Sequence, residues 1–370
     1  MHEATSLYTD RHQLDQSLIA TSPLPELKEG EALLRISRLA ITTNNITYAA
    51  FGDTPHLRYW SFFPTGEERW RQMPAWGFAE VMESTVEGVD VGERFYGFWP
   101  VATHLVMQPV RVSPRGFYDG TPHRLELTSA YNQYQRIGTD AAYRAEDEAY
   151  QMLLRPLFIT SFMLADFLED NDFFGADQVI ISSASSKTAY GTAFCLEDRN
   201  DITMTGLTSA ANKAFVDGLG SYDRSVDYGD IESLDPEVPT LYVDFSGNDE
   251  VRSRIHHHFG TALVHSCYAG SAHSHEHIST SSSTETLPGP APVFYFAPDQ
   301  IKKRNADWGP AEVTRRFNEA QLAFIQRVKN PQHPWIDVKS HAGIEAARDL
   351  VADLVAGRVE PREGHVVSLD

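Results

Sequence analysis

The residues best placed to do chemistry lie in the run from Val179 to Phe194, VIISSASSKTAYGTAF. It reads as an apolar strand, a turn of small residues and an amphipathic helix. That order points the free N–H groups of a helix N-terminus at the turn, where an anion is stabilised. Ser183, Ala184, Ser185 and Ser186 are small enough for a pyrophosphate to approach the backbone. Lys187 and Thr188 add a charge and a hydroxyl toward phosphate. The glycines usual in a dinucleotide turn are mostly replaced, although Gly191 stands one helical turn on, where close packing is wanted. The competing reading is a serine turn that only caps a helix.

A second cluster follows the next strand. No acid ends the segment Thr205–Lys213, so the carboxylate that would take a ribose 2′-hydroxyl is missing. Thr208, Ser209 and Lys213 instead suit a 2′-phosphate; the alternative for Lys213 is a solvated surface lysine. Tyr48 can donate a proton to a carbonyl or enolate oxygen, or serve as a core or lid aromatic. Asn44 and Asn45, beside it, can hold their loop by side-chain-to-backbone bonds. His273, His275 and His277 alternate, and a strand would put all three on one face. The segment reads as a loop with no second ligand cluster, so no metal site is expected. His273, just after a strand end, is a candidate general acid or substrate contact. His256–His258 is expected to be a solvated helix end, and Lys302, Lys303 and Arg304 a solvated charge run.

These groups need elements to position them. The first 110 residues carry short strands with Gly and Pro turns: Glu31–Ala40, Ala75–Met82, a strand after Val91, and Thr103–Pro109. Such a pattern predicts a small barrel. Residues 111–150 are polar and read as an insertion. Arg155–Leu168 has helical spacing. Near-continuous apolar strands then follow at Val179, Ile202, Leu241, Ala262 and Val293, separated by helices, and predict a parallel sheet covered on both faces. A final amphipathic helix from Ile344 to Val355 is stopped by Gly357, ahead of a short strand from His365.

The chain has 370 residues, 42% of them hydrophobic, and a formal net charge of −20. It is long enough for two domains. Its field repels nucleic acid and anionic membranes, so neither is expected as a partner. Two cysteines, Cys195 and Cys267, form no CxxC pair, no signal peptide is visible, and no uninterrupted apolar segment matches a bilayer. A cytoplasmic location is the expectation.

The order of these parts resembles the zinc-free, quinone-oxidoreductase-like branch of the medium-chain dehydrogenase/reductase superfamily. GEALLRI (from Gly30), GFAEVM (from Gly77), VGERFYG (from Val91), GADQVII (from Gly175) and VDFSGN (from Val243) are similar to that family's successive segments. NNITYA, SSASSKTA and QIKKR place it closer to the DUF2855 group. The resemblance implies an α/β fold: a GroES-like β-barrel domain over 1–150 and 331–370, and a Rossmann doubly wound parallel-sheet domain over 151–330. The early loop, ITTNNITY from Ile41, has no Cys or His, which fits a zinc-free member.

It further implies NADP(H) as cofactor, with Tyr228 near the adenosine phosphate and Ser246 and Gly247 at a strand end. Asn44, Asn45, Tyr48 and Thr160 would surround the nicotinamide. The implied activity is hydride transfer to or from a carbonyl or activated alkene (quinone- or enone-like) of a small-molecule substrate in an interdomain cleft, by a homodimer. The alternative keeps the fold without redox chemistry, as a nucleotide-binding or regulatory protein or a lyase-like enzyme.

Overall fold

The apolar strands of the second half form one parallel sheet. In the computed structural model, which describes residues 3–54, 58–269 and 287–369, its strand order is Arg224–Asp227, Thr203–Thr208, Gln178–Ile181, Thr240–Asp244, Leu263–Ala269 and Val293–Tyr295. Every neighbouring pair is parallel. Numbered along the chain, the order is 3-2-1-4-5-6, that of a Rossmann sheet. Gln178–Ile181 and Thr240–Asp244 are buried at every position, which explains their lack of polar alternation. Successive side chains take opposite faces. Val179, Ile181 and Val243 pack with Met163, Leu168, Ala189 and Ala193 on one side, whereas Ile180 and Tyr242 pack with Ile231, Ile255 and Phe259 on the other.

Contacts divide the chain into a unit of Met1–Leu153 with Ile336–Asp370 and a unit of Leu154–Trp335. Helix Glu148–Asp170 is long and apolar enough, by length and composition, to cross a membrane. Its residues Met163, Leu164, Ala165 and Leu168 are core residues of the second unit. After it the chain reverses through Asp172, Phe173 and Phe174, all left-handed (φ 47°, 48° and 55°), and then Gly175. Phe173 is buried, and Phe174 stacks flat on His265 at 3.7 Å.

In the first unit a long sheet runs Asp337–Ala342, Glu363–Ser368, Ala32–Ala40, Pro74–Ser84, Arg94–Pro100, Gln133–Arg136, Gly116–Asp119 and Pro109–Ser113, with His104–Met107 also paired to Ala32–Ala40. The first two strands are parallel and the other pairs antiparallel. Helix Ile344–Val355 buries Ile344, Ala347, Leu350, Val351 and Leu354 in this core. Gly357 ends it in a left-handed conformation, with Gly357 N–H bonded to Leu354 O and Arg358 N–H to Asp353 O, the two bonds of a Schellman cap.

Residues 111–150 are not an appendage. They supply strands of the main sheet, held by the buried Arg124, whose guanidinium bonds Asn132 Oδ1, Tyr131 O, Phe62 O and the Tyr134 hydroxyl. Part of their polarity belongs to this internal network.

Candidate cofactor site

The strand order reverses between Gln178–Ile181 and Thr240–Asp244. The chain ends there splay apart and leave a crevice above the sheet. A cavity of about 410 Å³ opens at this place, lined by Ser183, Tyr228, Ser246, Asn248, Glu250, Val251 and Arg254. The buried Asp244 ties the two strand ends together. Its Oδ1 accepts from Ser182 Oγ (3.0 Å), from the N–H and hydroxyl of Ser246 (2.9 and 2.8 Å) and from Gly247 N–H (3.0 Å). Its Oδ2 pairs with Arg252 at 2.9 Å, also out of solvent. The site residues Ser246 and Gly247 are thus held in place by a carboxylate the sequence reading had not singled out.

The serine turn has a defined path. Ser183 takes the left-handed region, φ 49°, which favours glycine. Its N–H donates to the Tyr228 hydroxyl at 2.8 Å. Ala184 is fully buried, and Gly206 on the neighbouring strand makes room for it: a Cβ there would lie 2.9 Å from Ala184 Cβ. Ser185 accepts from Asn212 Nδ2 at 3.3 Å. Ser186 is the N-cap of helix Lys187–Leu196, accepting from Ala189 N–H at 3.3 Å. The capping reading is therefore observed at Ser186, in a turn whose other members are small and whose Ser183 lines the cavity. Lys187 opens the helix, and burial lowers its pKa to about 8. Thr188 O accepts from the Ser161 hydroxyl at 2.8 Å. Gly191 is the packing glycine: a Cβ would stand 2.7 Å from Ser161 Oγ.

At the second strand end, Thr208 is buried and Ser209 caps helix Ala210–Leu219 through its backbone. Lys213 is not simply solvated. It bridges Asp217 at 2.9 Å and the Ser225 hydroxyl at 3.0 Å. Arg254, missed in the sequence, lines the cavity and is fixed by Tyr228 O at 2.7 Å and by Glu232. No motif marks it, since it lies on the second turn of helix Asp249–Phe259.

The remaining candidates fall in different places. Thr160 is half-buried on helix Glu148–Asp170 of the second unit. Asn44, Asn45 and Tyr48 lie on helix Thr43–Ala50 of the first. Asn45 is buried and committed: its Oδ1 accepts from Thr42 N–H and its Nδ2 donates to Pro74 O, both at 2.8 Å. Asn44 is half-buried. Burial raises the Tyr48 phenol. His273, with His275 and His277, lies outside the described residues. Among those described, no three His, Cys, Asp or Glu side chains group as a metal site.

Two expectations are corrected. His256 is fully buried, bonded to Pro288 O at 2.8 Å and Ser266 Oγ at 3.0 Å, because it falls on the inward face of its helix. Arg304 clamps Asp166 (2.7 Å) and Asp170 (2.9 Å) and covers Trp308, so the basic run joins two helices.

Residues 39–360 match the family described as "Protein of unknown function (DUF2855)". The chain belongs to that family. No curated protein matches its sequence. The DUF2855 chain is similar in structure to CurA from Vibrio vulnificus in complex with NADPH, at 13% identity and a TM-score of 0.60 over 99% of both chains. It is similar to the quinone oxidoreductase from Coxiella burnetii, at 13% and 0.55 over the full length of both. It is also similar to the yhdH oxidoreductase from Salmonella enterica in complex with NADP, at 12% and 0.54 over 99% of this chain and all of that one. The likeness is one of fold: a GroES-like domain together with a Rossmann domain.

Proposed function

We propose that this DUF2855 protein is a zinc-independent, NADP(H)-dependent oxidoreductase acting on a carbonyl or activated alkene, quinone- or enone-like. The observation that carries the reading is the cavity at the reversal of a 3-2-1-4-5-6 sheet, lined by the turn residue Ser183 and by Ser246. Two of its fold neighbours were solved with NADPH or NADP.

The residues fit such a cofactor. Close packing at Gly206 and Ala184 keeps side chains off the turn, and Lys187, at a helix N-terminus, favours a pyrophosphate. Lys213 and Ser209 stand at the ribose end, with Lys213 exchanging Asp217 for a 2′-phosphate. When bound, the nicotinamide supplies or accepts a hydride. Tyr48 holds the proton that a reduced carbonyl requires, with Thr160, Asn44 and His273 as further polar candidates. A homodimer would use the edge strand Val293–Tyr295, where Val293 and the following Phe296 are about half exposed.

The test is thermal stability with NADPH or NADH, followed by cofactor oxidation across quinones, enones and aldehydes. NADPH should raise the melting temperature at lower concentration than NADH. Binding of neither ends the reading, and binding without turnover of any substrate moves it to a non-redox nucleotide-binding protein.

A further inference from the structure

We propose that Arg254 is a positioning residue for the cofactor turn: it holds the main chain at Tyr228 and Gly229, so that the Tyr228 hydroxyl stands against the Ser183 amide and keeps that turn left-handed. The use of the turn for a cofactor rests on the reductase reading above.

Ser183 has a φ of 49°, a region that crowds a Cβ. A residue stays in such a conformation only where its surroundings over-determine it. Both main-chain polar groups of Ser183 are engaged. Its carbonyl accepts from Ser186 N–H at 2.8 Å, within the turn. Its N–H donates to the Tyr228 hydroxyl at 2.8 Å, at the end of another strand.

Tyr228 opens the short helix Tyr228–Ser233, which follows strand Arg224–Asp227. Asp227 caps it, accepting from Gly229 N–H at 2.7 Å. The tyrosine ring packs on the core cluster that includes Ile231 and Ile255. Apolar packing is non-directional, so the ring contacts do not by themselves aim the hydroxyl. Arg254 fixes the main chain from which the ring projects. Its Nη1 donates to Tyr228 O at 2.7 Å and its Nη2 to Gly229 O at 3.4 Å. The same guanidinium takes both oxygens of Glu232, Nε to Oε1 at 2.8 Å and Nη2 to Oε2 at 2.5 Å.

Tyr228, Gly229 and Glu232 belong to one short helix, so a planar fork grips that helix at each of these residues. A lysine ammonium lacks the fork geometry. The bonds from Arg254 also lower the Glu232 carboxyl to about 2, so the pair stays charged. Arg254 itself departs from a fixed point, since Val251, Ile255 and Phe259 of its helix are buried. The contacts therefore run from Glu232 through Arg254 and Tyr228 to Ser183. They link the helix after the fourth strand of the sheet, the turn after the third and the turn after the first. A turn held this way offers its small residues to a phosphate without having to be ordered by it.

The test follows exchange of the Ser183 amide hydrogen by NMR, in the full chain labelled with ¹⁵N-serine and without cofactor. Arg254→Met keeps the stem and removes the fork. Corrected for global stability, Ser183 exchange should quicken by about tenfold, the size of one lost hydrogen bond. The amide of Ser266, buried on another strand of the same sheet, should exchange as before. Tyr228→Phe should quicken Ser183 to a similar extent, and Arg254→Met in that background should add less than about twofold. A general structural role for Arg254 would not depend on the Tyr228 hydroxyl. Unchanged Ser183 exchange, or factors that multiply in the double variant, overturns the proposal. Should Arg254→Met fail to fold, Glu232→Gln takes its place in the same cycle. It should give a smaller quickening that again disappears without the Tyr228 hydroxyl, and its persistence there overturns the assignment. The exchange is read without cofactor or turnover, so a lack of NADPH binding would count against the reductase reading alone.

Discussion

The backbone N–H of Ser183 donates to the phenolic oxygen of Tyr228, 45 residues away, at 2.8 Å. The bond joins the turn after the first strand of the parallel sheet to the residue after the third, across the mouth of the cavity. It satisfies one N–H of the turn. Tyr228→Phe keeps the ring and orphans that N–H, so stability should fall by about 1–3 kcal/mol in urea titrations. Saturating NADPH should shrink the loss, because a phosphate oxygen then takes the N–H. An equal loss with and without NADPH would mean that this amide does not face the ligand.

Lys187 gives the site a pH dependence of definite sign. Its folded pKa, about 8, lies below the unfolded value, because burial penalises the charged form. The penalty is fully present below pH 8 and is relieved as pH rises from 8 toward 10.5, where the unfolded chain still binds the proton. Lys187→Met should therefore be more stable than wild type at pH 7, by at most about 3 kcal/mol, with the gap closing above pH 10. A phosphate beside Lys187 favours its charged form, so NADPH affinity should fall above pH 8 and calorimetry should show proton uptake. A pH-independent affinity between 7 and 9.5 would remove Lys187 from the site.

Gly191 is where two helices touch. An alanine Cβ there meets Ser161 Oγ at 2.7 Å and Ser161 Cβ at 3.1 Å, so Gly191→Ala should cost about 1–3 kcal/mol. Ser161→Ala removes the nearer atom, together with a bond to Thr188 O. The double variant should be less destabilised than the sum of the two singles in thermal unfolding. Strict additivity would mean that the clash is relieved by movement elsewhere.

The bridge from Lys213 to Asp217 is half-exposed, and such pairs contribute little to stability. Its effect should appear in cofactor choice. Asp217→Asn frees the ammonium and removes a like charge from the path of a 2′-phosphate, so NADPH should bind several-fold tighter and NADH unchanged, as read by fluorescence titration. Lys213→Ala should weaken NADPH selectively. Matched losses for both cofactors would contradict the selector role.

The architecture was legible because it rests on largely apolar runs: the strands expected at Val179–Ser183, Leu241–Phe245 and Ala262–Cys267 are observed at Gln178–Ile181, Thr240–Asp244 and Leu263–Ala269. Gly357 marked its helix end for the same reason, since a left-handed cap favours one residue type. The site was only half legible. Small residues and Lys187 identify a turn, but the sequence does not show Ser183 in a left-handed conformation or Tyr228 capping it, since both follow from strands distant in sequence. His256 was misjudged because a run of three histidines hides which one faces inward. The polar 111–150 segment supplies sheet strands because Arg124, Asn132 and Tyr134 satisfy one another inside the molecule, where polarity alone reads as an insertion.

The conformation of Ser183 reaches past this chain. The backbone follows a course usually reserved for glycine, while the residue that follows it carries an ordinary side chain. Here the left-handed dihedral and the narrow profile are both present without glycine. Searches for nucleotide-binding folds that demand glycine at these positions will pass over such chains, and a pattern written as one left-handed residue followed by small ones would recover them.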